Sequence, residues 1–288
     1  MDKRQQQIWL RRTSDLVKRR FFIIMNRLFA FVRRCEGMIY FGLFVLVVIA
    51  FLLYMLKVAH ENNVLHHQLL LKGEQEKIRL FFISDTHLRK INRQMIERLD
   101  GQFDAVIIGG DFADGRTPIL RIHDNLKLLT PLGPTYFVWG NNDREVGEEQ
   151  FRNILQEHGV QIIANDAVLL PKKNRFWINA IEDTSTMKCR FDEAFAKVEE
   201  KDLVVFIAHN PGVFARAREK YRADLMIGGH LHGGQIRIGP YGMHPNGSYK
   251  ERDGVMTLVS NGYGTTLLPF RLGARPQCHI IDIEISGK

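Results

Sequence analysis

The hydrophobic pattern of the chain changes near residue 58. From Met38 to Leu56 the sequence reads MIYFGLFVLVVIAFLLYML, with no charged residue and no polar stripe. At about 1.5 Å per residue, such a run comes close to spanning the hydrocarbon core of a bilayer, which is about 30 Å thick. A buried core helix is the alternative, but the run lies outside the pattern of strands and helices that follows it. We therefore predict one transmembrane helix over residues 38–58.

Beyond Lys77, short β-branched or aromatic runs alternate with amphipathic segments. This alternation predicts an α/β layered sandwich over residues 78–288. Residues 59–77 are mostly polar and are predicted to be a linker. The predicted strands cover residues 78–83, 104–109, 135–140, 175–181, 203–208 and 224–229, with further short strands in QIRIG, MTLVS and CHIIDIEI. The predicted helices cover residues 92–99, 119–129, 148–158, 191–199 and 212–221.

The net positive charge of the chain lies in its N-terminal part. Up to Val58 there are 11 Lys and Arg against 3 Asp and Glu, so the rest of the chain holds 29 residues of each sign. By the positive-inside rule, residues 1–37 form a basic cytoplasmic segment on the anionic leaflet, and the C-terminal domain is extracytoplasmic. The neutral domain lacks the basic excess that long nucleic acid requires. We expect a single-pass protein of the cell membrane.

Polar side chains with metal-binding chemistry follow five of the predicted strands. The sequences at these points are SDTH, GGD, GNND, AHN and GGHLHGG. In open α/β sheets, functional sites collect at the carboxyl ends of strands, and residues two apart in an extended chain face the same way. Imidazole and carboxylate groups that converge at such an edge are ligands for divalent transition metals. The candidate ligands are Asp85, His87, Asp111, Asn141, His209, His230 and His232.

The motifs DTH, GGD, GNND, AHNP and GGHLHGGQ, in this order, resemble the five motifs of the calcineurin-like metallophosphoesterases. GGHLHGGQI together with VSNGYGTTLLPFRL is similar to the membrane-associated bacterial branch that includes the YkuE-like and YaeI-like phosphoesterases. The resemblance covers roughly Ile78 to Ile285. It implies a four-layer αββα sandwich of two mixed β-sheets with a two-metal centre between them.

The resemblance also implies the role of each candidate ligand. Two divalent ions, of manganese, iron or zinc, would bind the phosphoryl oxygens and activate a water for in-line attack on phosphorus. The implied ligands are Asp85, His87 and His232 for the first ion and Asn141, His209 and His230 for the second, with Asp111 between the two.

Asn142 departs from the family pattern, in which a catalytic histidine holds this position. An amide donates a hydrogen bond but delivers no proton, so any general-acid contribution, typically about 10² to 10⁴ in rate, is lost or comes from elsewhere. Our hypothesis is that the enzyme favours leaving groups that need little protonation, or that it recruits Arg144 or His244 as a substrate-binding donor.

The function that these patterns favour is a membrane-anchored, two-metal phosphoesterase. Its substrate would be a phosphodiester, a phosphomonoester or a diphosphate, with lipid-linked and cell-envelope compounds as candidates. Two alternatives stay open at this point. One is a nucleotide phosphodiesterase or nuclease on the same centre, and the other is a metal-binding membrane sensor with weakened catalysis, which the substituted Asn142 favours.

Overall fold

A computed structural model describes residues 3–171 and 173–287 and divides the chain into two units, Met1–Tyr54 and Met55–Lys288. The described part of the first unit, from Lys3 to Tyr54, belongs to the long helix α1 (Lys3–Ala59), whose last residues belong to the second unit. Within α1 the segment Gly37–Ala59 is long and apolar enough to cross a membrane, by length and composition. The predicted basic segment is helical from Lys3 onward, and residues 1 and 2 lie outside the described part.

The second unit contains two mixed six-stranded sheets. In the first sheet the order is β1, β12, β2, β3, β4, β5, and β12 runs antiparallel to β2. In the second the order is β10, β11, β9, β8, β7, β6, and the two outer strands run antiparallel to their neighbours. The strands are β1 (Asn63–Leu71), β2 (Glu76–Ile83), β3 (Ala105–Ile108), β4 (Thr135–Phe137), β5 (Gln161–Ile162), β6 (Asp166–Leu169), β7 (Phe176–Ala180), β8 (Leu203–Ile207), β9 (Leu225–Gly228), β10 (Ser248–Arg252), β11 (Val255–Val259) and β12 (Gln277–Ile285).

Helices cover the outer face of each sheet. Because side chains alternate along a strand, Leu80 and Phe82 of β2 pack between the two sheets, whereas Phe81 and Ile83 pack against helices. Helices α2 (Arg93–Glu97), α3 (Ile119–Leu129) and α4 (Glu148–Glu157) cover the first sheet, and α5 (Phe191–Phe195) and α6 (Phe214–Lys220) cover the second. The result is the predicted four-layer αββα sandwich.

The segment predicted to be a linker differs from that expectation. Within residues 59–77, β1 pairs in parallel with β12 over nine residues, from Asn63 with Gln277 to Leu71 with Ile285. The hydrophobic pattern gave little indication of this strand because β1 lies at the edge of the sheet and only Leu69 in it is buried. The predicted strand QIRIG is instead an irregular loop with isolated bridges at Ile236 and Ile238.

Candidate metal centre

All the candidate ligands lie just beyond the carboxyl ends of strands. β2, β3 and β4 of the first sheet and β8 and β9 of the second are each followed by at least one of them within four residues. The loops of the two sheets meet, since the His230 backbone N–H donates to Asp85 Oδ1 at 2.9 Å. The strand topology therefore brings side chains from distant parts of the sequence to one edge of the sandwich.

Asp85, His87 and His232 form the first ligand group, in which one N or O atom of each lies within 4.8 Å of those of the others. The His87 and His232 Nε2 atoms are 3.3 Å apart, and His232 Nε2 is 3.4 Å from Asp85 Oδ1. All three side chains are buried. The Ser84 hydroxyl donates to Asp85 Oδ2 at 2.6 Å, which fixes the carboxylate.

Asp111, His209 and His230 form the second ligand group. His209 Nε2 lies 3.3 Å from His230 Nδ1 and 3.3 Å from Asp111 Oδ2. On its other side, His209 Nδ1 donates to the Gly109 carbonyl at 2.8 Å. In the neutral imidazole this hydrogen bond places the proton on Nδ1 and leaves Nε2 as a lone pair, the form in which histidines bind metals.

Asp111 faces both groups. Its Oδ2 is 3.3 Å from His209 Nε2 and 3.8 Å from His87 Nε2. Its Oδ1 accepts a hydrogen bond from the Asn142 backbone N–H at 2.8 Å. One carboxylate thus occupies the position that a bridging ligand requires.

Asn141 offers a buried oxygen and precedes Asn142, whose backbone N–H donates to Asp111. The Asn141 Oδ1 atom has no hydrogen-bond partner among the described residues. Its NH₂ donates to Asn142 Oδ1 at 2.8 Å, and Asn142 Nδ2 donates to Glu145 Oε1 at 2.7 Å. A buried polar atom without a partner costs about 1–3 kcal/mol. A metal ion bound to this oxygen would remove that cost, so the orphaned atom fits a ligand.

The backbone is strained where the ligands converge. Asp85, His87, Asp111, His230 and His232 all have left-handed φ values, between 48° and 68°. For residues other than glycine this conformation costs about 1–3 kcal/mol each and is characteristic of functional sites.

Glycines allow the loops that carry these ligands to approach one another closely. A Cβ atom on Gly140 would lie 2.2 Å from the Asp111 nitrogen, and one on Gly229 would lie 2.4 Å from Asp85 Oδ2. A side chain at either position would push the ligand loops apart.

Negative charge dominates the buried surroundings. Asp85, Asp111 and Asp143 are each at most 2% exposed. Burial raises the pKa of Asp143, and repulsion from Asp111 adds to the effect. Burial alone would lower the pKa of His209, but the Asp111 carboxylate raises it to about 10. Buried carboxylates need a compensating positive charge, so the donor set and its electrostatics fit divalent cations.

Several residues that hold the ligands were not assigned a role from the sequence. Asp143 accepts hydrogen bonds from the backbone N–H groups of Gly140, Asp111 and Ala113, at 2.8–3.1 Å. Asp114 Oδ2 lies 3.4 Å from His87 Nδ1. Asp143 belongs to GNND, whereas Asp114 follows GGD by three residues and no spacing singles it out.

Arg271 is a fully buried cation beneath this edge. Its guanidinium donates to the carbonyls of Asn261, Gly264 and Ala274 at 2.6–2.9 Å and to that of His232 at 3.2 Å. Burial and the positive charge of Arg271 lower the pKa of His232 to about 3, although the Asp85 carboxylate acts in the opposite direction. The imidazole is therefore neutral. The one indication of Arg271 in the sequence is its place in VSNGYGTTLLPFRL.

The two predicted substrate-binding residues lie outside both ligand groups. Arg144 pairs with Glu148 at 2.8 Å and with Glu182 at 3.0 Å, and its guanidinium lies 4.3 Å from the ring centre of Trp139. His244 is on an exposed loop. Their role in substrate binding stays a prediction.

Comparisons with known proteins agree with this geometry. Residues 78–234 match the family model described as calcineurin-like phosphoesterase. The uncharacterized protein YpbG of Bacillus subtilis (strain 168) is 38% identical over 207 residues, which cover 71% of this chain and 80% of that protein. The uncharacterized metallophosphoesterase YkoQ of the same organism is 27% identical and covers 70% and 82%. The phosphodiesterase YaeI of Escherichia coli (strain K12) is 27% identical and covers 76% and 86%.

Proposed function

The chain belongs to the calcineurin-like phosphoesterase family and is a metal-dependent phosphate-ester hydrolase; we propose that it holds two divalent ions and acts at the surface of the membrane that anchors it. The observation that carries the proposal is the pair of ligand groups with Asp111 facing both.

The proposed centre uses imidazole, carboxylate and amide ligands that suit manganese, iron or zinc. Such ions, when bound, bind phosphoryl oxygens and lower the pKa of a water that attacks phosphorus. Asp85, His87 and His232 would hold the first ion, Asn141, His209 and His230 would hold the second, and Asp111 would contribute to both.

Asn142 acts in this proposal as a positioning residue. Its side chain accepts from Asn141 and donates to Glu145, so it fixes the Asn141 amide and leaves the Asn141 oxygen free for an ion. An amide transfers no proton to a departing oxygen, so we propose substrates whose leaving groups need little protonation, such as activated esters and diphosphates.

A membrane anchor would place this centre close to phosphate compounds of the bilayer. The apolar segment Gly37–Ala59 follows a basic segment, which favours a cytoplasmic N-terminus and an extracytoplasmic hydrolase domain. Tethering restricts the site to a thin layer beside the membrane, which suits a lipid-linked or cell-envelope substrate. The name of the relative YaeI, a phosphodiesterase, makes a diester the first substrate to test.

The test uses the full chain in detergent, stripped of metal and then supplied with manganese. We expect metal-dependent turnover of bis(p-nitrophenyl) phosphate, measured beside p-nitrophenyl phosphate. Asp111→Asn should abolish the turnover, because that residue faces both ligand groups. Asp124→Asn, at an exposed carboxylate paired with Lys90, is the matched control and should leave turnover unchanged.

Two outcomes would contradict the proposal. Two ions bound per chain with no hydrolysis of either ester would favour a metal-binding membrane sensor. Turnover confined to nucleotides would favour a nucleotide phosphodiesterase on the same centre.

A further inference from the structure

Six large apolar side chains stand exposed on two loops that leave the candidate metal centre. Their exposed fractions range from 40% to 88%. Isolated exposed apolar residues are common, whereas a contiguous cluster marks an interaction surface. We call this cluster the apolar rim, and it consists of Ile236, Ile238, Tyr241, Met243, Leu267 and Leu268.

Backbone and side-chain hydrogen bonds join the two loops into one surface. The Gln235 amide nitrogen donates to the Thr266 and Leu268 carbonyls at 3.1 and 3.0 Å, and the Thr266 N–H donates to Gln235 Oε1 at 2.9 Å. The Arg237 N–H donates to the Leu272 carbonyl at 2.7 Å. The rim is therefore built on a fixed frame.

Leu267 is held in a conformation that leucine disfavours. It has a φ of 58° and an exposed fraction of 81%. A bulky residue in the left-handed region is a true outlier. The exposed Leu267 side chain adds no packing within the domain to offset this strain. A partner outside the chain that contacts the side chain would explain why the strained conformation is kept.

The rim lies close to the end of the apolar helix segment. The Arg271 N–H donates to the Met55 carbonyl at 3.2 Å, and Arg271 follows Leu268 by three residues. Three residues of chain span at most about 11 Å. Met55 is the first residue of the second unit and belongs to the last part of the segment Gly37–Ala59, so within this unit the rim lies near the end of that segment.

The rim is equally close to the candidate metal centre. The Gln235 N–H donates to the carbonyl of His232, a residue of the first ligand group, at 2.9 Å. The Arg271 guanidinium donates to the same His232 carbonyl. A group held at the rim would therefore be a short distance from the first ligand group.

We propose that the apolar rim inserts into the lipid bilayer near residues 55–59, where the apolar segment Gly37–Ala59 ends, so that the candidate metal centre faces phosphate groups at headgroup level. This inference rests on the proposed function. It adds the substrate class, which is phosphate esters carried by bilayer lipids. We choose a bilayer as the partner of the rim because the apolar segment that ends at Ala59 is long enough to span one.

The direct test measures contact with lipid and is independent of catalysis. The full chain carrying Leu268→Trp is reconstituted in phosphatidylcholine and phosphatidylglycerol vesicles, with and without bromine on the acyl chains. We expect the brominated lipid to quench the emission that this substitution adds to the parent protein. Leu169→Trp is the matched control, since Leu169 is 46% exposed and Leu268 is 56% exposed. Leu169 lies away from the site, because it pairs with Trp177 near the amino end of β7.

The functional test compares two diesters with the same leaving group. Leu267→Asn combined with Leu268→Ser should lower kcat/KM for phosphatidyl-p-nitrophenol in vesicles by about tenfold, because less apolar surface enters the bilayer. Turnover of water-soluble bis(p-nitrophenyl) phosphate should be unchanged, which also shows that the variant folds. Asparagine tolerates the left-handed conformation of residue 267. Leu169→Ser is the control.

The outcomes separate the two proposals. Equal quenching of Leu268→Trp and Leu169→Trp would overturn the docking surface even if both esters are hydrolysed. Absence of turnover with either ester in the parent protein, together with selective quenching, would overturn the proposed activity and leave the docking surface supported. An equal loss of activity on both esters would also contradict docking.

Discussion

In our proposal, the side chain of Asn142 determines which esters the centre hydrolyses well. Asn142→His would restore a group that transfers a proton, whereas the native amide is engaged by Asn141 and Glu145. We expect the rate for a phenyl diester, whose leaving group is basic, to rise by about 10²-fold, and the rate for a p-nitrophenyl diester to change little. Steady-state kinetics on the two esters give the ratio.

Asn142→Ala separates proton transfer from positioning. This variant removes the acceptor that orients the Asn141 amide and supplies no proton donor. We expect weaker binding of the second ion and no gain for the phenyl ester. An equal rate increase for both esters in Asn142→His, or none for either, would argue against the leaving-group explanation.

At the residue scale, the sequence indicated the ligands far better than their supports. Paired spacings such as Asp85 with His87 place side chains at one point, and the structure brings six of the seven candidate ligands into two groups. Asp114 and Arg271 act through tertiary contacts with His87 and His232, and no local pattern encodes such contacts. The sequence likewise gave no indication of the hydrogen bond from Arg144 to Glu182, because Glu182 is distant in sequence.

At the element scale, Arg271 holds together the loop from Asn261 to Ala274. Arg271→Lys keeps the charge but loses the planar fork that binds several carbonyls, so buried carbonyls would lose their donors. We expect a loss of about 3 kcal/mol in the free energy of unfolding. For a domain of this size, that corresponds to a melting temperature lower by about 6–12 °C.

Arg275→Lys is the comparison for this prediction. Arg275 is exposed and lies 3.5 Å from Glu61, so its replacement should cost less than about 1 kcal/mol. Thermal melting of both variants in the presence of manganese provides the measurement. Equal melting temperatures would mean that Arg271 does not hold the loop.

The edge strand β1 leads to a second prediction at this scale. A chain that starts at residue 72 lacks β1 and exposes one edge of β12 along its length, whereas a chain that starts at residue 60 keeps both strands. Exposed strand edges pair with other copies. We expect the shorter chain to aggregate in size-exclusion chromatography or to melt earlier, and the longer one to remain monodisperse. Identical behaviour would show that β1 contributes nothing to the domain.

The same strand shows which elements the sequence could indicate. Continuous buried runs such as LVVFI in β8 identify themselves by composition, and α3 begins and ends where its amphipathic pattern does. By contrast, β1 and β10 are edge strands with polar, exposed faces, and their pairing depends on β12 and β11, which come later in the chain. Such edge strands have no fully buried face, so they lack the alternation of apolar and polar residues that predicts a strand.

At the scale of the whole molecule, the candidate ligands connect the two sheets. Asp85 and Asp111 follow strands of the first sheet, whereas His209 and His232 follow strands of the second. Ions bound between them would therefore stabilise the sandwich as one cooperative unit rather than a single loop. Stabilisation by a bound ion grows with the logarithm of its concentration over Kd.

Metal removal should consequently lower the melting temperature of the full chain. At a concentration about 1,000-fold above Kd, each ion contributes about 4 kcal/mol, which for a domain of about 230 residues corresponds to about 8–16 °C. The measurement is circular dichroism melting after chelation and again after manganese is restored. His230→Ala should lose part of this shift, because the first ligand group remains intact, whereas Asp111→Asn should lose most of it, because that carboxylate faces both groups. A chelated protein that melts where the metal-loaded protein does would mean that the buried carboxylates are compensated without ions.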